Sequence, residues 1–180
     1  MSAIYTLSCA SDDGSALELD FRKQGDRYVQ SIRRVTSDGA WLDRWIAVQE
    51  GEPVPWPASP PVQELHLQTI EGQDVLLGVG RAGKCHWSLS IETAEIDSVA
   101  ALRFDIACRC PEPPGWLGSS YRRDEQDSPA DAGQVAAALV IRCEEDARLS
   151  GDDDKLCIEP IAAPAQWPAT VRWRYAILAH

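Results

Sequence analysis

The sequence predicts an all-β protein: a single-domain antiparallel β-sandwich or flattened barrel, built largely of hairpins, with roughly ten strands and little helix. Three observations carry this reading. Residues 84–110 spell two strands and a turn; Asp-Gly signals punctuate the first fifty residues at short intervals. The glycine-rich strand-to-helix loops, long repeats and heptads of other architectures are not found.

Within residues 84–110, Cys85, Trp87, Leu89 and Ile91 alternate with His86, Ser88, Ser90 and Glu92. Further on, Leu102, Phe104, Ile106, Cys108 and Cys110 alternate with Arg103, Asp105 and Arg109. Successive strand side chains point to opposite faces, so each segment has one dry and one wet face. The polar insert at 93–98 is expected to join them as a hairpin.

The other elements follow from turn chemistry. Asp12-Asp13-Gly14 separates strands at 3–9 and 16–22, Lys23-Gln24-Gly25-Asp26 leads into 27–36, and Ser37-Asp38-Gly39 leads into 41–49. Glycine accepts the positive φ of tight hairpin turns, so this region reads as a meander. Residues 51–61 are proline-rich and predict a stiff crossover running over the surface. Strands at 62–70 and 74–79 precede the Gly80-Arg81-Ala82-Gly83 turn, and Pro111-Glu112-Pro113-Pro114-Gly115 closes the 84–110 hairpin. Residues 122–133 are acidic and turn-rich, as expected of a mobile loop. At 135–143 the run Ala136-Ala137-Ala138 favours helix, whereas Val135, Ala137, Leu139, Ile141 and Cys143 share one parity; the strand is preferred, in a hairpin with 156–159. The last strand, 170–178, sets Val171, Trp173, Tyr175 and Ile177 on one side.

A net charge of −11 over 180 residues argues against nucleic acid or an anionic membrane as partner, since both demand clustered Lys and Arg. No apolar run approaches the ~20 residues that span a bilayer. The first residues lack a cationic leader and cleavage site, so a cytoplasmic protein is expected, its six Cys reduced.

The chemistry-bearing residues fall into four groups. Antiparallel pairing of the 84–110 hairpin sets Cys85 on the same face as Cys108 and Cys110. Such thiols are soft metal ligands, but they alternate with large apolar residues and His86 faces the other way, so core packing is preferred and no metal or cofactor is expected. On the wet face His86, Ser88, Arg103, Asp105 and Arg109 include the residue types of a hydrolase, yet no nucleophile elbow accompanies them. Acidic runs such as Asp152-Asp153-Asp154 lack the spacing of a calcium loop. Tryptophan is abundant, seven against two Phe. Trp41, Asp43 and Trp45 share a strand face opposite Leu42, Ile46 and Val48, so something must cover the indoles: the chain's own second layer, a second copy or protein partner, or a stacking ligand. Trp56 and Trp116 lie on loops. Together these residues favour a module that binds a protein or small ligand; the alternative is a hydrolase with His86 and nearby carboxylates in a cleft.

Overall fold

In the computed structural model, which describes residues 4–50, 54–124, 139–161 and 164–179, thirteen strands form two antiparallel sheets and no described residue is helical. β1 (Ile4–Ala10), β2 (Ala16–Gln24), β3 (Arg27–Val35) and β4 (Trp41–Ala47) form the predicted meander. β5 (Glu64–Ile70), β6 (Gln73–Ala82), β7 (Cys85–Ile96) and β8 (Val99–Cys110) form a second one. The remaining strands are β9 (Ser119–Arg123), β10 (Val140–Cys143), β11 (Ala147–Gly151), β12 (Lys155–Pro160) and β13 (Ala169–Leu178). They complete sheets of order β1-β2-β3-β4-β9-β12-β11 and β10-β13-β8-β7-β6-β5.

The inner faces are those the alternation selects. Leu17, Leu19 and Phe21 from β2, Ile91 from β7, Phe104 and Ile106 from β8, and Trp173, Tyr175 and Ile177 from β13 meet in one apolar core. Tyr175 stacks on Phe104, with centroids 4.7 Å apart, and its hydroxyl lies 2.6 Å from that of Tyr121 on the opposite sheet. The sandwich is therefore tied across its centre by a buried polar contact that both partners satisfy.

Five expectations need correction. Gly80, Arg81 and Ala82 are not a turn but the end of β6, paired with Trp87, His86 and Cys85, and Gly83 and Lys84 alone turn the chain. The 93–98 insert is not a loop: β7 and β8 pair as far as Ile96↔Val99, and Asp97 and Ser98 alone turn the chain, at φ 51° and 64°. Both φ values positive is the signature of a two-residue hairpin turn, which Asp tolerates without glycine. Residues 140–143 are a strand, but β10 pairs with β13 in the second sheet, while the hairpin partner of β12 is β11; residues 135–138 lie outside the described residues. Arg122 and Arg123 belong to β9, and 125–133 of the expected acidic loop likewise lie outside. The crossover is not a surface strap: Pro57, Ser59 and Pro61 are buried, the Ser59 hydroxyl donates to the Ser120 carbonyl at 2.8 Å, and the Tyr28 amide donates to the Val62 carbonyl at 2.7 Å. Chain without ladder partners must satisfy its backbone groups locally, which draws this segment onto the ends of β3 and β9.

β9 is the strand that alternation could not reveal. Ser119, Ser120 and Tyr121 are all buried between β4 and β12, and their polar groups are used: Trp173 Nε1 donates to Ser119 Oγ at 3.1 Å, and Gln30 Nε2 donates to Tyr121 Oη at 2.9 Å.

Candidate functional site

The Asp43–Trp45 face of β4 turns inward. Trp45 is wholly buried and Asp43 is 2% exposed. Arg34 grips the Asp43 carboxylate with Nε at 2.7 Å and a second nitrogen at 3.1 Å, and Trp45 Nε1 donates to it at 3.0 Å. The Arg123 guanidinium lies over the Trp45 ring at 5.3 Å. The layer that covers this face is the chain's own, so Asp43 and Trp45 are structural and not a ligand or partner surface. The Trp41 backbone belongs to β4, and its side chain lies outside the described residues.

The two loop tryptophans separate. Trp56 packs half-buried against the core beside Gly115, where a methyl group would meet its ring at 3.0 Å. Trp116 instead lines a groove of about 300 Å³ at one end of the sandwich, together with Trp167, Leu117, Ile161 and the Arg148–Glu159 pair. Arg148 donates twice to one Glu159 oxygen, at 2.8 and 3.0 Å, and Trp116 Nε1 donates to the other at 3.2 Å. The carboxylate thus fixes both the indole and the guanidinium. Ile161 at the rim is 58% exposed, an apolar surface left open to water. Trp167 joins the groove from the segment before β13, fifty-one positions after Trp116, and only tertiary structure unites them; the shared Trp-Pro dipeptides at 56–57 and 167–168 are the one sequence cue to a loop indole.

The wet face of the second sheet resolves into two parts. His86, Ser88 and Arg109 line an open groove of about 490 Å³ with Arg81, Glu64 and Thr170. Register sets Arg81, His86, Arg109 and Thr170 in one row across β6, β7, β8 and β13. Arg103 and Asp105 lie away from it: Arg103 donates to Glu144 at 2.8 Å, and Asp105 is held by both ends of the Arg172 guanidinium. Asp105 pairs with Ser90, four positions along β7 from His86, a span of about 13 Å. Ser88 is about 7 Å along the strand from His86. A base must touch its orienting acid as well as its nucleophile, and Asp105 is both out of reach of His86 and held by Arg172, so these residues do not assemble a hydrolytic triad.

Beneath that face, the inward side chains of the same strands bring three thiols together. The sulfur atoms of Cys85, Cys108 and Cys110 all lie within 4.8 Å of one another, and those of Cys108 and Cys110 are 3.4 Å apart. All three residues are buried. Burial pushes the Cys85 thiol up to about 11, with the neighbouring Cys110 adding to the shift, and raises Cys108 further still for the same two reasons. Protonated thiols are poor nucleophiles, which disfavours Cys85 and Cys108 as reactive cysteines in the ligand-free protein.

No family model matches the chain, and neither a curated protein nor a solved structure is significantly similar to it.

Proposed function

We propose that the protein is a non-catalytic β-sandwich module that binds a small ring-shaped ligand in the end groove between Trp116 and Trp167. The observation that carries this reading is the anchoring of Trp116 by Glu159, which fixes an indole in an open groove next to an exposed guanidinium. An indole held by its N–H loses little conformational freedom when a ligand arrives, and it offers a flat apolar face. Arg148, whose side chain is 65% exposed, supplies donors for an acceptor group on that ligand. The volume sits at the lower end of the range for small-molecule pockets. The ligand class is therefore a sugar or aromatic acid of one or two rings.

The net charge of −11 and the six thiols support a cytoplasmic module without nucleic-acid or membrane partners. Catalysis is disfavoured by the separation of His86 from Asp105.

Ligand-observed NMR with a panel of monosaccharides, disaccharides and aromatic carboxylates tests the reading. Saturation transfer to at least one ring class is expected, with the signal lost in Trp116→Ala and in Trp167→Ala. Failure of every class to bind, or binding that survives both substitutions in folded protein, overturns it.

A further inference from the structure

We propose that Cys85, Cys108 and Cys110 form a binding site for one soft monovalent metal ion, Cu(I), coordinated by three sulfurs. The site is independent of the end groove and is built by the β7–β8 hairpin. Cys108 pairs with Trp87 and Cys110 with Ala169; one step beyond the last paired residues, His86↔Arg109, Cys85 stands opposite Cys110. Ala82 faces Cys85 on the other side. The row across the sheet is therefore Ala82, Cys85, Cys110, Ala169, with two thiols flanked by methyl groups that leave space around the sulfurs. In the adjoining row Trp87 and Val171 border Cys108, and the three thiols belong to the same apolar core as these neighbours.

Distances fit a three-coordinate ion. A metal at the centre of an equilateral sulfur triangle, with bonds of about 2.3 Å, requires sulfurs about 4.0 Å apart. The cluster spans 3.4 Å for one pair and stays within 4.8 Å for all, so side-chain adjustments that change the separations by less than about 1 Å complete the triangle. Residues two apart on one strand have Cα atoms about 6.6 Å apart, so a 3.4 Å sulfur contact means that Cys108 and Cys110 lean toward each other.

The donor set selects the ion. Thiolates prefer soft cations. Structural zinc takes four ligands, and among the described residues no His, Asp or Glu joins the three sulfurs in the cluster, His86 lying on the opposite face. Three sulfurs in a dry setting satisfy Cu(I) and leave zinc one ligand short. The cluster also has a way in. Cys85 follows the exposed Lys84 directly, and Lys84 pairs with the exposed Glu112 at 3.4 Å. Cys85 begins its strand and Cys110 ends the neighbouring one, so two of the sulfurs sit at the sheet end, next in sequence to a weak surface ion pair. Each thiol that binds the ion gives its proton to solvent, and copper keeps its oxidation state throughout.

The test uses the full chain, reduced and anaerobic, titrated with Cu(I) against a chromophoric Cu(I) chelator. One equivalent per chain is expected to move to the protein, with sulfur-to-copper absorption in the ultraviolet and an X-ray absorption signature of three sulfur neighbours. Cys108→Ser and Cys110→Ser should each weaken binding beyond the ~10 to 100-fold lost when a supporting outer contact is removed. The Cys9→Ser/Cys143→Ser/Cys157→Ser variant should bind as wild type. If the buried serines prevent folding, as circular dichroism will reveal, the sulfur count on wild-type protein decides alone. No transfer of copper, a sulfur count other than three, uptake unchanged by loss of Cys108, or Zn(II) held more tightly than Cu(I) each overturns the assignment.

Discussion

Replacing Asp43 with Ala removes the acceptor that three buried donors share. Arg34 is 5% exposed and keeps its charge, while Trp45 Nε1 is left without its carboxylate. Breaking a buried ion pair from one side costs about 3 to 5 kcal/mol, because the surviving charge stays desolvated. The orphaned indole N–H belongs to the same network and adds up to about 1 to 3 kcal/mol, less than additively. Against a total stability of about 5 to 15 kcal/mol this is a large fraction. Urea denaturation followed by tryptophan fluorescence measures it: with a slope of about 2 kcal/mol per molar, 3 to 5 kcal/mol lowers the midpoint by about 1.5 to 2.5 M. The double variant Arg34→Met/Asp43→Leu should recover most of the loss, since apolar isosteres replace a buried pair at little cost, leaving the indole as the remaining deficit. A loss below about 1 kcal/mol in Asp43→Ala would show that the β4 face is hydrated and that Trp45 is not a core residue.

The buried tyrosines make stability fall at high pH. Burial raises Tyr121 to about 12 and Tyr175 well above its usual range. The unfolded chain, with tyrosines near 10, then binds fewer protons above that pH, so stability is level below about pH 10 and declines from there toward 12. Chemical denaturation at pH 8 and pH 11 measures the decline, and Tyr121→Phe/Tyr175→Phe should flatten it. Gly80→Ala should destabilise the fold by about 3 kcal/mol or more, because the added methyl would lie 1.6 Å from the Pro61 carbonyl oxygen; a thermal midpoint within a degree of wild type would contradict that packing. His86→Ala should stay within about 0.5 kcal/mol of wild type in the same urea assay, since the side chain is exposed on the open sheet face. A loss of several kcal/mol there would mean that the ring has a buried partner.

The sequence by itself determined which residues face inward along each well-patterned strand, and where most turns fall. Period-two alternation is a local property, set by backbone geometry, so 85–91, 102–110 and 171–177 could be read without knowing their partners. Register within a hairpin is nearly as local, which is why Cys85, Cys108 and Cys110 could be placed on one face from residue spacing. Partner choice between distant strands was decided only by the tertiary structure. β9 was hidden because its buried serines earn their places through bonds to Trp173 and the 54–61 segment, interactions that no local window contains. β10 was drawn to β13 and not to β12 for a similar reason: several exposed edges compete for one short strand, and complementary packing against the whole sheet settles the competition. Trp45 and Trp116 look alike as indoles in the sequence, yet one is sealed in the core and the other lines an open groove. Burial is a property of what covers a residue, and in a sandwich the cover arrives from the other sheet.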